Sequence, residues 1–291
     1  MIPFSNFLFI FFLGFVLDDN QFILLSMFYA YLQIFSNVIG GGVVQTYTAK
    51  FSSGAISQED KVYFLKGPAL LFVFSLFAVF IIDANYAFIF CFACLYALML
   101  SYLNFIYCHL RLNLSFRLLY LSNAAFLASK VMILLFVAKE TTSIYMILFI
   151  DSVFLFLNLL LLTYLNFKLF ECLTESKVKM SIRELVMYFL KVAAPILAAS
   201  SILSFLINTM RTFGPVDAEY HKALILFSGG LFLVNAFAMV VGNYMARNQS
   251  SIFHNQMPLL TILIVNLLVY FVSLFGSNIL LSKIDYFEYL Q

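Results

Sequence analysis

Residues 118–167 read LLYLSNAAFLASKVMILLFVAKETTSIYMILFIDSVFLFLNLLLLTYLNF. Two apolar runs, 118–138 and 143–167, flank a short polar segment, and each run is long enough to cross a bilayer as a helix. Each run carries a single charged residue, Lys130 in the first and Asp151 in the second. Because a backbone in lipid must satisfy its own hydrogen bonds, this pattern predicts a hairpin of two membrane helices.

The composition of the whole chain agrees with this hairpin. Of the 291 residues, 64% are hydrophobic and 10% are charged, and the mean hydropathy is +1.02. About a quarter of the residues in an ordinary soluble domain are charged, so most of this surface must face lipid. The net charge of +2 is too small, and the basic residues too dispersed, for a nucleic-acid partner.

Further apolar windows bounded by polar residues extend the hairpin into a bundle. The sequence predicts an all-α, polytopic transmembrane bundle of about nine helices. The predicted spans cover residues 2–17, 22–47, 64–82, 86–107, 118–138, 143–167, 185–210, 223–245 and 258–281.

The loops between these spans differ in their content of Lys and Arg. With a cytoplasmic N-terminus, eleven of the 16 basic residues fall on the cytoplasmic side and four on the outer side. Cytoplasmic loops of membrane proteins are enriched in Lys and Arg. We therefore expect a multi-pass membrane protein with its N-terminus in the cytoplasm.

The most polar inter-helix segment, 168–184, divides six spans from three. We expect an N-terminal six-helix lobe over residues 1–170, a cytoplasmic connecting loop over 171–184, and a partial C-terminal lobe of three helices over 185–291. The other loops are too short to form a soluble domain.

Lys130 and Asp151 are the strongest candidates for a functional site, because charged residues within a membrane span are costly. Each lies about eight residues, or roughly 12 Å, from the turn that joins their helices. Two interpretations stay open. The residues form a buried ion pair that lets both helices exist in lipid, or they face a hydrated cavity in which Lys130 attracts an anionic substrate.

Three further residues are candidates for substrate binding. Asn37 and Gln45 flank Gly40–Gly42 in the second span, where the glycines permit either close helix packing or a bend that lines a cavity. Arg211 ends the seventh span and could bind phosphate groups bidentately. Its alternative role is to extend its charge to the membrane interface.

No metalloprotease, phosphate-loop or nucleophile-elbow motif occurs in the sequence. The three histidines, His109, His221 and His254, lie at the ends of predicted helices and far apart along the chain. We therefore predict no catalytic residue, no metal site and no cofactor.

Two segments carry a resemblance to a known family. Residues 7–54 read FLFIFFLGFVLDDNQFILLSMFYAYLQIFSNVIGGGVVQTYTAKFSSG, and residues 183–215 read RELVMYFLKVAAPILAASSILSFLINTMRTFGP. The first resembles the opening of Wzx-type polysaccharide (O-antigen) flippases of the MOP superfamily, with its short first helix, long second helix and glycine-containing end. The second resembles the start of that family's second lobe, with its early proline.

The resemblance implies two helical lobes that rock about a central cavity. It implies a non-enzymatic transporter that flips a polyprenyl-pyrophosphate-linked oligosaccharide across the bacterial inner membrane for O-antigen or capsular polysaccharide synthesis. Membrane lipids and other polysaccharide-assembly membrane proteins would be further partners. Because the family has about six helices in its second lobe, we expect this chain to be C-terminally shortened.

Three alternatives compete with flipping. A cation-coupled exporter of the related MATE type would need intramembrane carboxylates, of which Asp151 is the clear example. A membrane enzyme would need a sizeable outer loop or clustered ionisable residues near an interface. The third alternative is a truncated remnant that transports nothing.

Overall fold

A computed structural model describes residues 9–10, 12–14, 16–52, 54, 56–81, 86–113, 115–137, 143–166, 171, 179–194, 217–218, 220–222 and 224–225. Within these residues the chain is helical and contains no strand. The α-helices are α1 (Asp19–Phe35), α2 (Gly42–Ser52), α3 (Gln58–Leu76), α4 (Ala87–Leu112), α5 (Phe116–Val137), α6 (Ile144–Leu165) and α7 (Ile182–Tyr188).

Polar residues between the apolar runs define where several helices begin. The side chain of Asp18 accepts a hydrogen bond from the Gln21 N–H at 2.8 Å and caps α1. Ser57 and Ser181 each form a reciprocal capping box at the starts of α3 and α7. These side chains satisfy N–H groups that lack a partner within the helix, which is why the helices begin at these breaks in hydropathy.

The second predicted span is continuous but not uniform. A π-helical turn, Ser36–Gly41, joins α1 to α2, and the whole segment Asp19–Thr48 forms one 30-residue helical stretch. A π-helical turn inserts an extra residue into the helical repeat and so rotates the faces of α1 and α2 relative to each other. Helices α1 and α2 therefore present different sides to their neighbours.

Five helical segments are long and apolar enough to cross a membrane, which indicates a helical membrane protein. They correspond to the second to sixth predicted spans. The other four spans lie wholly or largely outside the described residues, so the count of nine stays a prediction. The five segments are Asp19–Thr48, Gln58–Phe80, Ala87–Leu112, Arg117–Phe136 and Ile144–Leu165.

Helix α4 occupies the centre of the described bundle, because it packs against α1, α2, α3, α5 and α6. Helices α5 and α6 pack against each other and expose large apolar side chains on their outer faces, such as Leu121, Met132 and Phe149. In water such a surface would be unfavourable, whereas lipid tails solvate it without cost. The outer surface of this hairpin is therefore suited to the hydrocarbon core.

The described parts of the chain beyond residue 178 pack against this bundle. Leu185, Tyr188 and Ala193 belong to a buried apolar cluster with residues of α2, α3 and α4. Ala218 and Ile225 belong to the larger core that includes α1, α4, α5 and α6. The predicted division into lobes at 171–184 therefore has close contacts across it, and the division itself stays a prediction.

Candidate functional site

Lys130 and Asp151 form an ion pair between α5 and α6. Their side chains are 1% and 0% exposed, so both charges have been removed from solvent. Each lies on the buried seam of its helix, where inward-facing residues recur every three or four positions. Phe126 and Ile133 flank Lys130 on this seam, and Leu148 and Leu155 flank Asp151. The ion pair, one of the two interpretations that the sequence left open, is therefore the arrangement in this structure.

Two tyrosines from other helices complete the polar contacts of this pair. The Tyr96 hydroxyl of α4 donates a hydrogen bond to Asp151 Oδ2 at 2.9 Å. Lys130 Nζ donates to the Tyr29 hydroxyl of α1 at 3.4 Å. We call Tyr29, Tyr96, Lys130 and Asp151 the four-helix cluster, since one residue comes from each of α1, α4, α5 and α6.

Aromatic rings enclose the ammonium group of Lys130. Its Nζ lies 4.4 Å from the ring centroid of Phe9 and 5.1 Å from that of Phe126. The electron-rich faces of these rings stabilise a cation while excluding water. In this conformation the geometry is that of a buried ion pair. The hydrated-cavity interpretation requires a second conformation in which these rings separate from Lys130.

The carboxylate of Asp151 is unevenly satisfied. Oδ2 accepts from both Lys130 and Tyr96, whereas the buried Oδ1 has no hydrogen-bond partner among the described residues. A buried carboxylate oxygen without a donor is uncommon, because its desolvation is not offset. This oxygen can accept a hydrogen bond or a cation that approaches the cluster.

A second polar layer joins three of these four helices, α4, α5 and α6. The Tyr107 hydroxyl and Ser122 Oγ are 2.7 Å apart, Ser122 Oγ donates to Asn158 Oδ1 at 2.7 Å, and Asn158 Nδ2 lies 3.4 Å from the Tyr107 hydroxyl. This layer is seven or eight residues from the ion pair, or about 10–12 Å along the helices. Helices α4, α5 and α6 are thus held together at two depths by polar contacts.

Asn37 and Gln45 do not gather around the ion pair. Asn37 lies in the π-helical turn and Gln45 in α2, and both are partly buried. Along the helix they are roughly 12 Å and 24 Å from Tyr29, the nearest cluster residue on this segment. Arg211 lies outside the described residues, so its predicted role stays a prediction.

The glycines of the second span make close helix contacts. A Cβ atom on Gly40 would lie 2.5 Å from Ser101 Oγ of α4, and one on Gly42 would lie 2.9 Å from the Cβ of Ala193. These distances are below van der Waals contact, so a larger residue would push the helices apart. The glycines thus show the close helix packing that was the first alternative for this segment, whereas a bend that lines a cavity with Asn37 and Gln45 stays a prediction.

The sequence did not single out Tyr29 or Tyr96 as members of the site. Both lie about ten residues into their helices, or roughly 15 Å, which is close to the depth predicted for Lys130 and Asp151. A polar hydroxyl at that depth is a usable signal, because it needs a partner in lipid. Choosing these two among 17 tyrosines requires the rotation of each helix, which the sequence does not specify.

Comparison with known proteins found no protein-family model, no curated protein and no solved structure that matches this chain.

Proposed function

We propose that this protein translocates an anionic, lipid-linked oligosaccharide across the bacterial inner membrane by alternating access. The observation that carries the proposal is the Lys130–Asp151 pair, a fully buried cation and anion within a mostly apolar bundle. Such groups are costly in a membrane and occur where a transported group must be met. The described chain also offers little polar surface outside the bundle on which another activity could be built.

In the proposed cycle Lys130 exchanges one anionic partner for another. In the present conformation Asp151 neutralises it and the rings of Phe9 and Phe126 cover it. When the bundle opens, a pyrophosphate group competes with Asp151 for the ammonium. Asp151 retains the hydrogen bond from Tyr96 during this exchange, so its charge is not left without a donor.

The test separates transport from stability by comparing single and paired substitutions. Lys130→Met leaves the Asp151 carboxylate buried without its counter-charge, a change that costs about 3–5 kcal/mol in proteins. Lys130→Met with Asp151→Asn removes both charges and keeps an oxygen that can accept from Tyr96. Replacing both members of a buried pair is often neutral, so the double variant should remain folded.

Transport is measured as restored surface glycan in a bacterium that lacks its own polysaccharide flippase. The wild-type chain and the control Lys66→Met, which removes an exposed lysine, should restore it. The double variant should be present in the membrane at the wild-type level and restore none. Full restoration by the double variant would leave the pair with a structural role only, and no restoration by the wild type would support the remnant alternative.

Asp151 Oδ1, which lacks a hydrogen-bond partner in the described part of the chain, favours a second candidate, a MATE-like cation-coupled exporter. If Lys130 leaves Asp151, the carboxylate becomes able to take up a proton or a metal cation. This candidate predicts drug or dye efflux by cells that express the wild-type chain, lost in Asp151→Asn. Glycan restoration without any efflux would favour the flippase.

A further inference from the structure

A second buried carboxylate, Asp60, lies away from the four-helix cluster, at the end of the bundle where α2 ends and α3 begins. Its side chain is 0% exposed. It completes the capping box of α3, because the Ser57 backbone N–H and Ser57 Oγ each donate to Asp60 Oδ2 at 2.7 Å. These two hydrogen bonds are local and hold the carboxylate in place within its own turn.

Two further donors reach Asp60 from other elements. Lys50, near the end of α2, places its Nζ 2.8 Å from Asp60 Oδ1. The Tyr188 hydroxyl of α7 also donates to Asp60 Oδ1. Tyr188 is separated from Asp60 by 128 residues, and among the described donors to this carboxylate it alone comes from beyond the connecting loop.

Apart from the Lys50 ammonium, which lies 5.8 Å from the centroid of the Tyr188 ring, the other described contacts between α7 and the bundle are mostly apolar. The Tyr188 ring centroid lies 4.5 Å from that of Tyr63, and Leu185 packs in the same apolar cluster. The π-helical turn that follows α7 approaches α2 where Gly42 meets Ala193. Apolar contacts tolerate sliding, whereas a hydrogen bond weakens when its distance or angle changes. The Tyr188–Asp60 hydrogen bond is therefore the directional contact of this interface.

We propose that the Tyr188–Asp60 hydrogen bond is a latch that holds the start of the second lobe closed against the N-terminal bundle. The inference rests on the proposed function for its role in transport, since rocking lobes need a contact that breaks and reforms at one end of the cavity. The hydrogen bond itself is seen in the structure, and its role as a latch is tested separately from transport.

The chemistry of Asp60 makes this contact easy to break. When Tyr188 leaves, Asp60 keeps Lys50 and both Ser57 donors, so no buried charge is stranded. Opening at Tyr188 loses one hydrogen bond and its apolar packing and separates no ion pair, whereas in the proposed cycle Lys130 leaves Asp151 only when an anionic substrate replaces the carboxylate. The contact at Tyr188 can therefore break and reform without a substrate.

The test measures opening with the full-length protein in liposomes. Leu185→Cys is buried beside the latch, and mass spectrometry of its peptide follows its reaction with a soluble maleimide. Tyr188→Phe keeps the ring and removes only the hydroxyl. Tyr188→Phe is made in the Leu185→Cys chain. Because one hydrogen bond to a charged group is lost, we expect labelling of residue 185 to be about tenfold faster than in Leu185→Cys alone.

The matched control is Tyr102→Phe, which removes a 2.7 Å hydrogen bond to the Leu65 carbonyl within the bundle. In the Leu185→Cys chain, Tyr102→Phe should leave the labelling rate of residue 185 near that of Leu185→Cys alone. In the chain without the added cysteine, hydrogen–deuterium exchange of peptides over residues 182–194 should be faster in Tyr188→Phe than in Tyr102→Phe or the wild type. Equal rates for Tyr188→Phe and Tyr102→Phe in both measurements would overturn the latch.

The outcome does not depend on the proposed function. Faster labelling in Tyr188→Phe with no glycan restored by the wild type would support the latch and contradict the flippase. Glycan restored by the wild type with unchanged labelling in Tyr188→Phe would contradict the latch and support the flippase. If both hold, Tyr188→Phe should also change the rate of glycan transport while Tyr102→Phe does not.

Discussion

At the scale of single residues, the two buried tyrosines of the four-helix cluster should contribute unequally to the stability of the protein. Tyr96 donates to the carboxylate of Asp151 at 2.9 Å, and Tyr29 accepts from Lys130 at 3.4 Å. Hydrogen bonds to charged groups contribute more to stability than neutral ones, and they weaken as they lengthen. The shorter contact, from Tyr96 to Asp151, should therefore contribute more to stability, since no described residue donates to the other oxygen of this carboxylate, Oδ1.

This difference gives a paired prediction. Tyr96→Phe should lower the free energy of unfolding by about 1.5–3 kcal/mol, and Tyr29→Phe by less than about 1 kcal/mol. Both changes remove one hydroxyl from a buried ring, so each serves as the control for the other. Unfolding by SDS titration in detergent micelles measures both values. An equal loss, or a larger loss for Tyr29→Phe, would contradict the geometry of the cluster.

At the scale of elements, the approach of the second span to α4 depends on the absence of a side chain at Gly40. A Cβ there would lie 2.9 Å from the Cβ and 2.5 Å from the Oγ of Ser101. Because Ser101 Oγ donates to the Ala97 carbonyl at 2.6 Å, its rotamer is held in place. The two helices would have to separate to admit a methyl group at position 40.

We accordingly expect Gly40→Ala to destabilise the protein by about 1–3 kcal/mol, the typical cost of overpacking. Ser101→Gly in the same chain removes the side chain that Ala would meet, so the double variant should recover part of the loss. The midpoint of thermal unfolding in detergent measures this recovery. If Gly40→Ala is as stable as the wild type, the glycines are present for another reason.

At the scale of the whole molecule, contacts between distant segments agree with the predicted alternation of the spans. The contact of Tyr188 with Asp60 joins two segments predicted to lie on one side of the membrane. Lys222 Nζ lies 3.4 Å from Asp19 Oδ1 and joins two segments predicted to lie on the other side. The first side is predicted to be cytoplasmic from its content of Lys and Arg.

Side-specific labelling tests this topology. Cysteines replacing the exposed residues Ser57 and Asn113 should react with an impermeant maleimide in inside-out vesicles only. Cysteines replacing the exposed residues Asn20 and Ser143 should react in intact spheroplasts only. The wild-type chain supplies the background of the native cysteines. Labelling of Ser57→Cys and Ser143→Cys from the same side would contradict both the topology and the span count between them.

The sequence by itself determined that the described chain forms long helices and where most of them begin and end. Hydropathy, the length of a span and polar capping residues act over a few neighbouring residues, so they can be read along the chain. It also placed Lys130 and Asp151 at equal depth beside one turn, where a lone charge is costly in lipid. Whether the two residues pair was left open by the sequence and is shown by the structure.

Only the tertiary structure decided what surrounds these charges and what joins the parts of the chain. Tyr29 and Tyr96 reach the pair from helices far away in sequence, and Tyr188 reaches Asp60 across 128 residues. Such contacts depend on the rotation of each helix about its axis and on which helices are neighbours. Both follow from side-chain packing between distant segments, for which local hydropathy carries no information.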